Sequence, residues 1–170
     1  MRAPGKREDP SVVERSLFEE VADAVRGLVP EELGDLRCKS HRSGVKVWFG
    51  QYKPPREHYE AQVVGREHAS EATALALEVG FHIEYPNEAD NEAVISGLLR
   101  SERRWRRELG EEAVVCSFLG RAEHWRRVSE VWPDPNLADP ELVFELAARL
   151  ADYVTALEPN RLHRQAGPTR

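Results

Sequence analysis

Cysteine is scarce. The 170 residues contain two, Cys38 and Cys116, far apart and without a Cys-x-x-Cys spacing, which excludes a disulfide framework and a zinc site built from cysteines alone. Long apolar runs are missing as well. No segment approaches the ~20 apolar residues needed to cross a bilayer, and the opening MRAPGKREDP has no apolar stretch of the signal-peptide kind. The expectation is a cytoplasmic protein without membrane attachment. The sequence also lacks a Gly-x-Ser-x-Gly nucleophile motif, a glycine-rich phosphate loop, a His-Glu-x-x-His helix and a cupin-like His-x-His pattern. Excess positive charge is missing too: the formal net charge of −6 opposes a general nucleic-acid coat and leaves only local basic patches to weigh.

What remains is an ordinary globular composition. With 41% hydrophobic and 32% charged residues the chain can bury one core, and its length suits one domain. Residues 1–10 and 163–170 read as a flexible tail and a loose basic tail around a single domain at 11–162. Val13, Leu17, Val21, Ala24 and Leu28 recur at three- and four-residue intervals, which predicts a helix from about 11 to 28, capped by Asp9 or Ser11 and ended by Pro30. The segment EELGDLRCKSHRSG has no clean period and reads as a loop carrying a basic stretch, Arg37, Lys39, Arg42 and Lys46. VKVWFGQY and HYEAQVVG, either side of KPPRE, predict a hairpin, and the alternation LEVGFHIEY at 77–85 predicts a third strand. A helix over 90–109 follows, with Asn87 and Asp90 to cap it and Gly110 to end it. AVVCSFLG reads as a fourth strand, and EHWRRVSEVWP as a fifth in preference to a helical turn. Asp139-Pro140-Glu141 starts a last helix that Pro159 should end. The fold class is therefore α+β: an antiparallel sheet of four to five strands, in the order helix, three strands, helix, two strands, helix, with helices on one face.

Alternation then sorts side chains by face. Val79, Phe81 and Ile83 point to the core, so Glu78, Gly80, His82 and Glu84 point away from it, as do Lys46 and Trp48 in the first strand and His58, Glu60 and Gln62 in the second. If residue 60 stands opposite residue 80, His58 comes beside His82 and Gln62 faces Glu78. His58, His82, Glu60 and Glu84 are the candidate metal ligands, because neutral imidazole and carboxylate suit zinc, manganese or iron; no cofactor is otherwise expected. The competing reading is that histidine and glutamate make cross-strand pairs on a solvated face. Gly80 in mid-strand marks a close approach, by Trp48, Tyr52 or a ligand. Trp48, Tyr52, Gln62, Glu78 and Gly80 make up the expected interaction face.

Arg100, Arg103, Arg104, Arg106 and Arg107 around Trp105 form a basic patch, for which helix-dipole and ion-pair roles are simpler than phosphate binding. His41, His68, His124 and His163 have no ligand-spaced companions and read as surface histidines. Three functions follow. The first is an interaction domain that binds a protein partner, or itself as a homodimer, through an open sheet face. The second is a metal-dependent hydrolase built on the His/Glu cluster. The third, less favoured, is a nucleic-acid-binding accessory protein using the arginines.

Overall fold

The computed structural model describes residues 10–118 and 122–165, with side chains over 16–118 and 122–161. Of the tail expected at 1–10, residues 1–9 lie outside that range, as do the final residues 166–170, while Pro10 opens the first helix. The architecture is α+β, as the alternation predicts: α1 (Pro10–Leu28), β1 (Leu36–His41), β2 (Gly44–Phe49), β3 (Glu57–Gly65), β4 (Leu75–Ile83), α2 (Glu88–Leu99), α3 (Glu102–Leu109), β5 (Val114–Ser117), β6 (Arg126–Pro133) and α4 (Glu141–Gln165). The six strands form one antiparallel sheet in the order β1-β2-β3-β4-β6-β5. No helix among the described residues is long and apolar enough to cross a membrane.

The extra strand is β1, in the stretch read as loop. Its inward side carries only Leu36, Cys38 and Ser40, half-buried, so the apolar alternation that marks a strand is weak there. Pairing with β2 through a tight turn at 42–43 supplies what periodicity does not. The helix expected over 90–109 is two helices. At the break the Leu98 carbonyl accepts from the Ser101 amide at 3.0 Å, from Ser101 Oγ at 3.1 Å and from the indole Nε1 of buried Trp105 at 2.9 Å. Three donors on one carbonyl make the break stable. Pro159 does not end α4, which continues to Gln165 and takes in residues 163–165 of the expected loose tail.

The core lies between one face of the sheet and the helices. In β2, β3 and β4 the odd residues Val45, Val47, Tyr59, Ala61, Val79 and Phe81 are fully buried, and α1 lies over β1 and β2 while α4 lies over β3 and β4. The buried stripe of α1 is Leu17, Phe18, Val21, Ala22 and Val25, with Leu28 half-exposed. It is therefore rotated slightly from the one the spacing suggests. Asp139 caps α4 as expected, its Oδ1 accepting from the Glu141 amide at 3.0 Å. Asn87 does the same for α2 through the Ala89 amide.

Candidate metal centre

The other face of the sheet is polar, and the strand register assembles it as the alternation implies. His58 stands opposite His82, Glu60 opposite Gly80 and Gln62 opposite Glu78. Lys46 of β2 faces Glu60 on one side, and β6 places Arg127, Ser129 and Val131 beside His82, Gly80 and Glu78 on the other.

This face is not open. His82 and Glu78 are 0% exposed, His58 1%, and Trp48 4%. Two features close it. Gly80 lets β6 come so near that a Cβ there would lie 2.3 Å from the Val128 carbonyl oxygen and 2.4 Å from Ser129 Cβ. The neighbour that demands glycine is thus a strand, not Trp48, Tyr52 or a ligand. Phe118, just past β5, then sits edge-on to His82 with ring centroids 4.7 Å apart, backed by Trp125. Trp48 folds over its own connection and donates Nε1–H to the Gln51 carbonyl at 2.7 Å. The exposed aromatic surface expected to bind a partner is reduced to Tyr52, which is 86% exposed.

Four predicted ligands converge. Glu60 Oε2 lies 3.1 Å from His58 Nε2 and 3.1 Å from His82 Nδ1, while Glu84 Oε1 lies 3.7 and 3.9 Å from the same nitrogens. One donor atom from each residue falls within 4.8 Å of all the others. An ion bound tetrahedrally at about 2.0–2.1 Å spreads its ligand atoms about 3.3 Å apart; the two Glu60 separations match that spacing, and the wider ones would have to close by up to about 1.5 Å. Glu84 is the outlying donor. It sits just beyond β4, tied back by its amide to the Arg56 carbonyl, and is the most accessible of the four.

Both imidazoles are held from behind. His58 Nδ1 lies 2.9 Å from the Pro55 carbonyl oxygen, in a connection stiffened by two prolines, and Lys46 Nζ lies 3.1 Å from Nε2. An ammonium group only donates, so Nε2 accepts and the proton is on Nδ1. His82 turns Nδ1 to the cluster and Nε2 to both oxygens of Glu78, at 2.8 and 2.9 Å. Glu78 is fixed in turn by Gln62 Nε2 at 3.1 Å and by the Ser129 hydroxyl. A buried carboxylate orienting the far nitrogen of a histidine is how proteins aim imidazole at metal ions.

Electrostatics bind the cluster together without an ion. Burial pushes the Glu60 carboxyl up, but hydrogen bonds from His41 and His82 and the charge of His82 outweigh it and hold the group well below the usual range. Glu78 is likewise lowered, burial being overcome by the charge and hydrogen bond of His82 together with Ser129 and Gln62. Burial presses His82 down, yet the Glu78 charge and the hydrogen bonds to Glu60 and Glu78 raise it to about 10. His82 is then an imidazolium between two buried carboxylates, and no buried side-chain polar atom among the described residues lacks a partner. A proton on Nδ1 stands where a metal would be bound.

Two participants were not foreseen. His41, read as a surface histidine, reaches Glu60 Oε1 at 2.9 Å. It can do so because Gly44 has no side chain: a Cβ there would meet the His41 ring at 2.8 Å. Its position on β1 was hidden with that strand. Lys46 was placed on this face but not in the cluster, where its Nζ is 3.3 Å from Glu60 and 3.9 Å from Glu84. The α3 arginines stand elsewhere. Arg106 pairs with Glu102 at 2.6 Å and lies over the Trp105 ring at 4.8 Å, Arg100, Arg103, Arg104 and Arg107 are exposed, and α3 packs on α4 behind the opposite sheet face.

Fold and site together define an α+β domain with a histidine–carboxylate group able to hold a metal ion. No family model, curated protein or solved structure matches the chain.

Proposed function

We propose that this chain is a divalent-metal protein, with His58, Glu60 and His82 as ligands and Glu84 beside the position left open, and that it uses the metal for hydrolysis. The observation that carries the reading is the Glu78–His82 pair: a fully buried carboxylate that grips one imidazole nitrogen and leaves the other aimed at three further donors within 4.8 Å. Two histidines and one glutamate form a donor set known from catalytic zinc, and the mixture of nitrogen and carboxylate suits zinc, manganese or iron better than calcium or magnesium. A bound ion would supply Lewis acidity and an activated water. Glu84, at the accessible edge and loosest in distance, would be the carboxylate that serves as general base. His41 and Lys46 border the same edge, so a substrate would enter there and not through Phe118.

The test is zinc and manganese titration of the purified chain after chelation, alongside His58→Ala and His82→Ala variants. Stoichiometric uptake in the wild type and a loss of tenfold or more in each variant are expected. Wild-type and His82→Ala proteins of equal affinity would remove the proposal, as would no uptake by the wild type.

A further inference from the structure

Three of the chain's four lysines, Lys39, Lys46 and Lys53, line one groove of about 610 Å³, together with Arg37, Trp48 and Tyr52. No carboxylate lines it. Arg37 has a counter-charge in Asp35 at 2.8 Å. Lys39 and Lys46 have none in the groove, and they face each other directly across β1 and β2. Like charges directly opposed on a sheet are destabilising, so folding alone disfavours this pair, and an anion between the two would relieve it.

Lys46 also belongs to the histidine–carboxylate cluster, where its Nζ lies 3.1 Å from His58 Nε2 and 3.3 Å from Glu60. A divalent ion bound by those same atoms repels an ammonium group at that distance and takes over its carboxylate partner. Lys46 is 27% exposed at the mouth of the cluster, and the groove is the other space it lines. We infer that metal uptake displaces Lys46 into the groove, where it and Lys39 clamp a phosphate monoester beside the metal. The inference rests on the metal reading of the cluster. A monoester dianion matches two opposed lysines in charge, whereas a monocarboxylate would satisfy one. Tyr52 and Trp48 offer ring surface to the organic part of the ester.

The experiment measures binding of phenyl phosphate and of inorganic phosphate to the full chain by calorimetry, with and without bound zinc, in the wild type, Lys46→Met and Lys39→Met. Zinc-loaded wild type should bind phenyl phosphate at least tenfold more tightly than the metal-free protein, and more tightly than inorganic phosphate. Lys46→Met should keep or increase zinc affinity while losing tenfold or more in phenyl phosphate affinity. Lys39→Met, on an exposed edge strand where folding is not at stake, should lose severalfold. Equal phenyl phosphate binding by zinc-loaded wild type and Lys46→Met overturns the inference, as does binding indifferent to zinc or equal affinity for the two phosphates. Failure of the wild type to take up zinc is the separate result that overturns the metal reading along with it.

Discussion

The protonation of His82 makes the metal reading quantitative. In the metal-free chain the imidazolium is held to about 10, against an ordinary 6.5, by the Glu78 charge and by hydrogen bonds to Glu60 and Glu78 that overcome its burial. Bound metal needs the Nδ1 lone pair, so the proton must leave. His58 has none to give up at the cluster, since its Nε2 already accepts from Lys46. Glu60 and Glu78 are lowered and arrive ionised. Each ion should therefore release one proton, and zinc affinity should rise about tenfold per pH unit between about pH 7 and 9, or about 1.4 kcal/mol per unit. The assay is competition against a chelator of known pH dependence, with proton release measured by calorimetry in two buffers of different ionisation enthalpy. Glu78→Gln removes the first-named cause of the raised value and keeps the side chain's shape, so in that variant the slope should flatten toward zero above pH 7. A zinc affinity independent of pH in the wild type, or a slope unchanged in Glu78→Gln, would refute the reasoning.

Without metal, the same groups set a stability window. His82, raised, stabilises fully below about 6.5 and loses that contribution as pH climbs toward 10, while Glu60 and Glu78, lowered, stabilise above about 4.5 and lose theirs as pH falls. Thermal melting in chelator should peak between about pH 5 and 6.5 and decline on both sides; a flat profile would contradict the buried ion network. Gly80→Ala forces a Cβ to within 2.3 Å of the β6 backbone, and urea denaturation should show a loss of at least about 1–3 kcal/mol, in line with overpacked cores. Trp48→Ala empties a buried position and should cost about 3–5 kcal/mol in the same assay, whereas Arg104→Ala on the exposed side of α3 should stay within about 0.5 kcal/mol. Equal effects of the last two would place Trp48 at the surface after all.

Much of the cluster could be read in advance because the two-residue period of a strand is a strict rule. Once Val79, Phe81 and Ile83 are assigned inward, the faces of Glu78 and His82 are fixed, and matching β3 to β4 by their apolar sets brings His58 beside His82. Burial could not be read that way. Solvent-facing and buried polar residues alternate identically, and the feature that closes the face, the approach of β6 over Gly80, depends on pairing between residues 49 apart in number, Gly80 and Ser129. β1 was hidden because an edge strand with few apolar residues has almost no pattern, and with it went His41. Pro159 failed as a stop in a helix that packs against α1 and the sheet, where tertiary contact outweighs a local breaker.

The polar row has a consequence for folding as well as chemistry. A slip of one residue between β3 and β4 would exchange the faces and is forbidden by the apolar side chains alone. A slip of two is not: valine, tyrosine and phenylalanine would still meet apolar partners. It would, however, set Glu60 opposite either His82 or Glu78, part His58 from His82, and strand buried carboxylates without their hydrogen bonds. Leaving one such group unpaired costs several kcal/mol, so the charges that burial makes expensive are also the ones that tell the two central strands which of several equally greasy alignments is the right one.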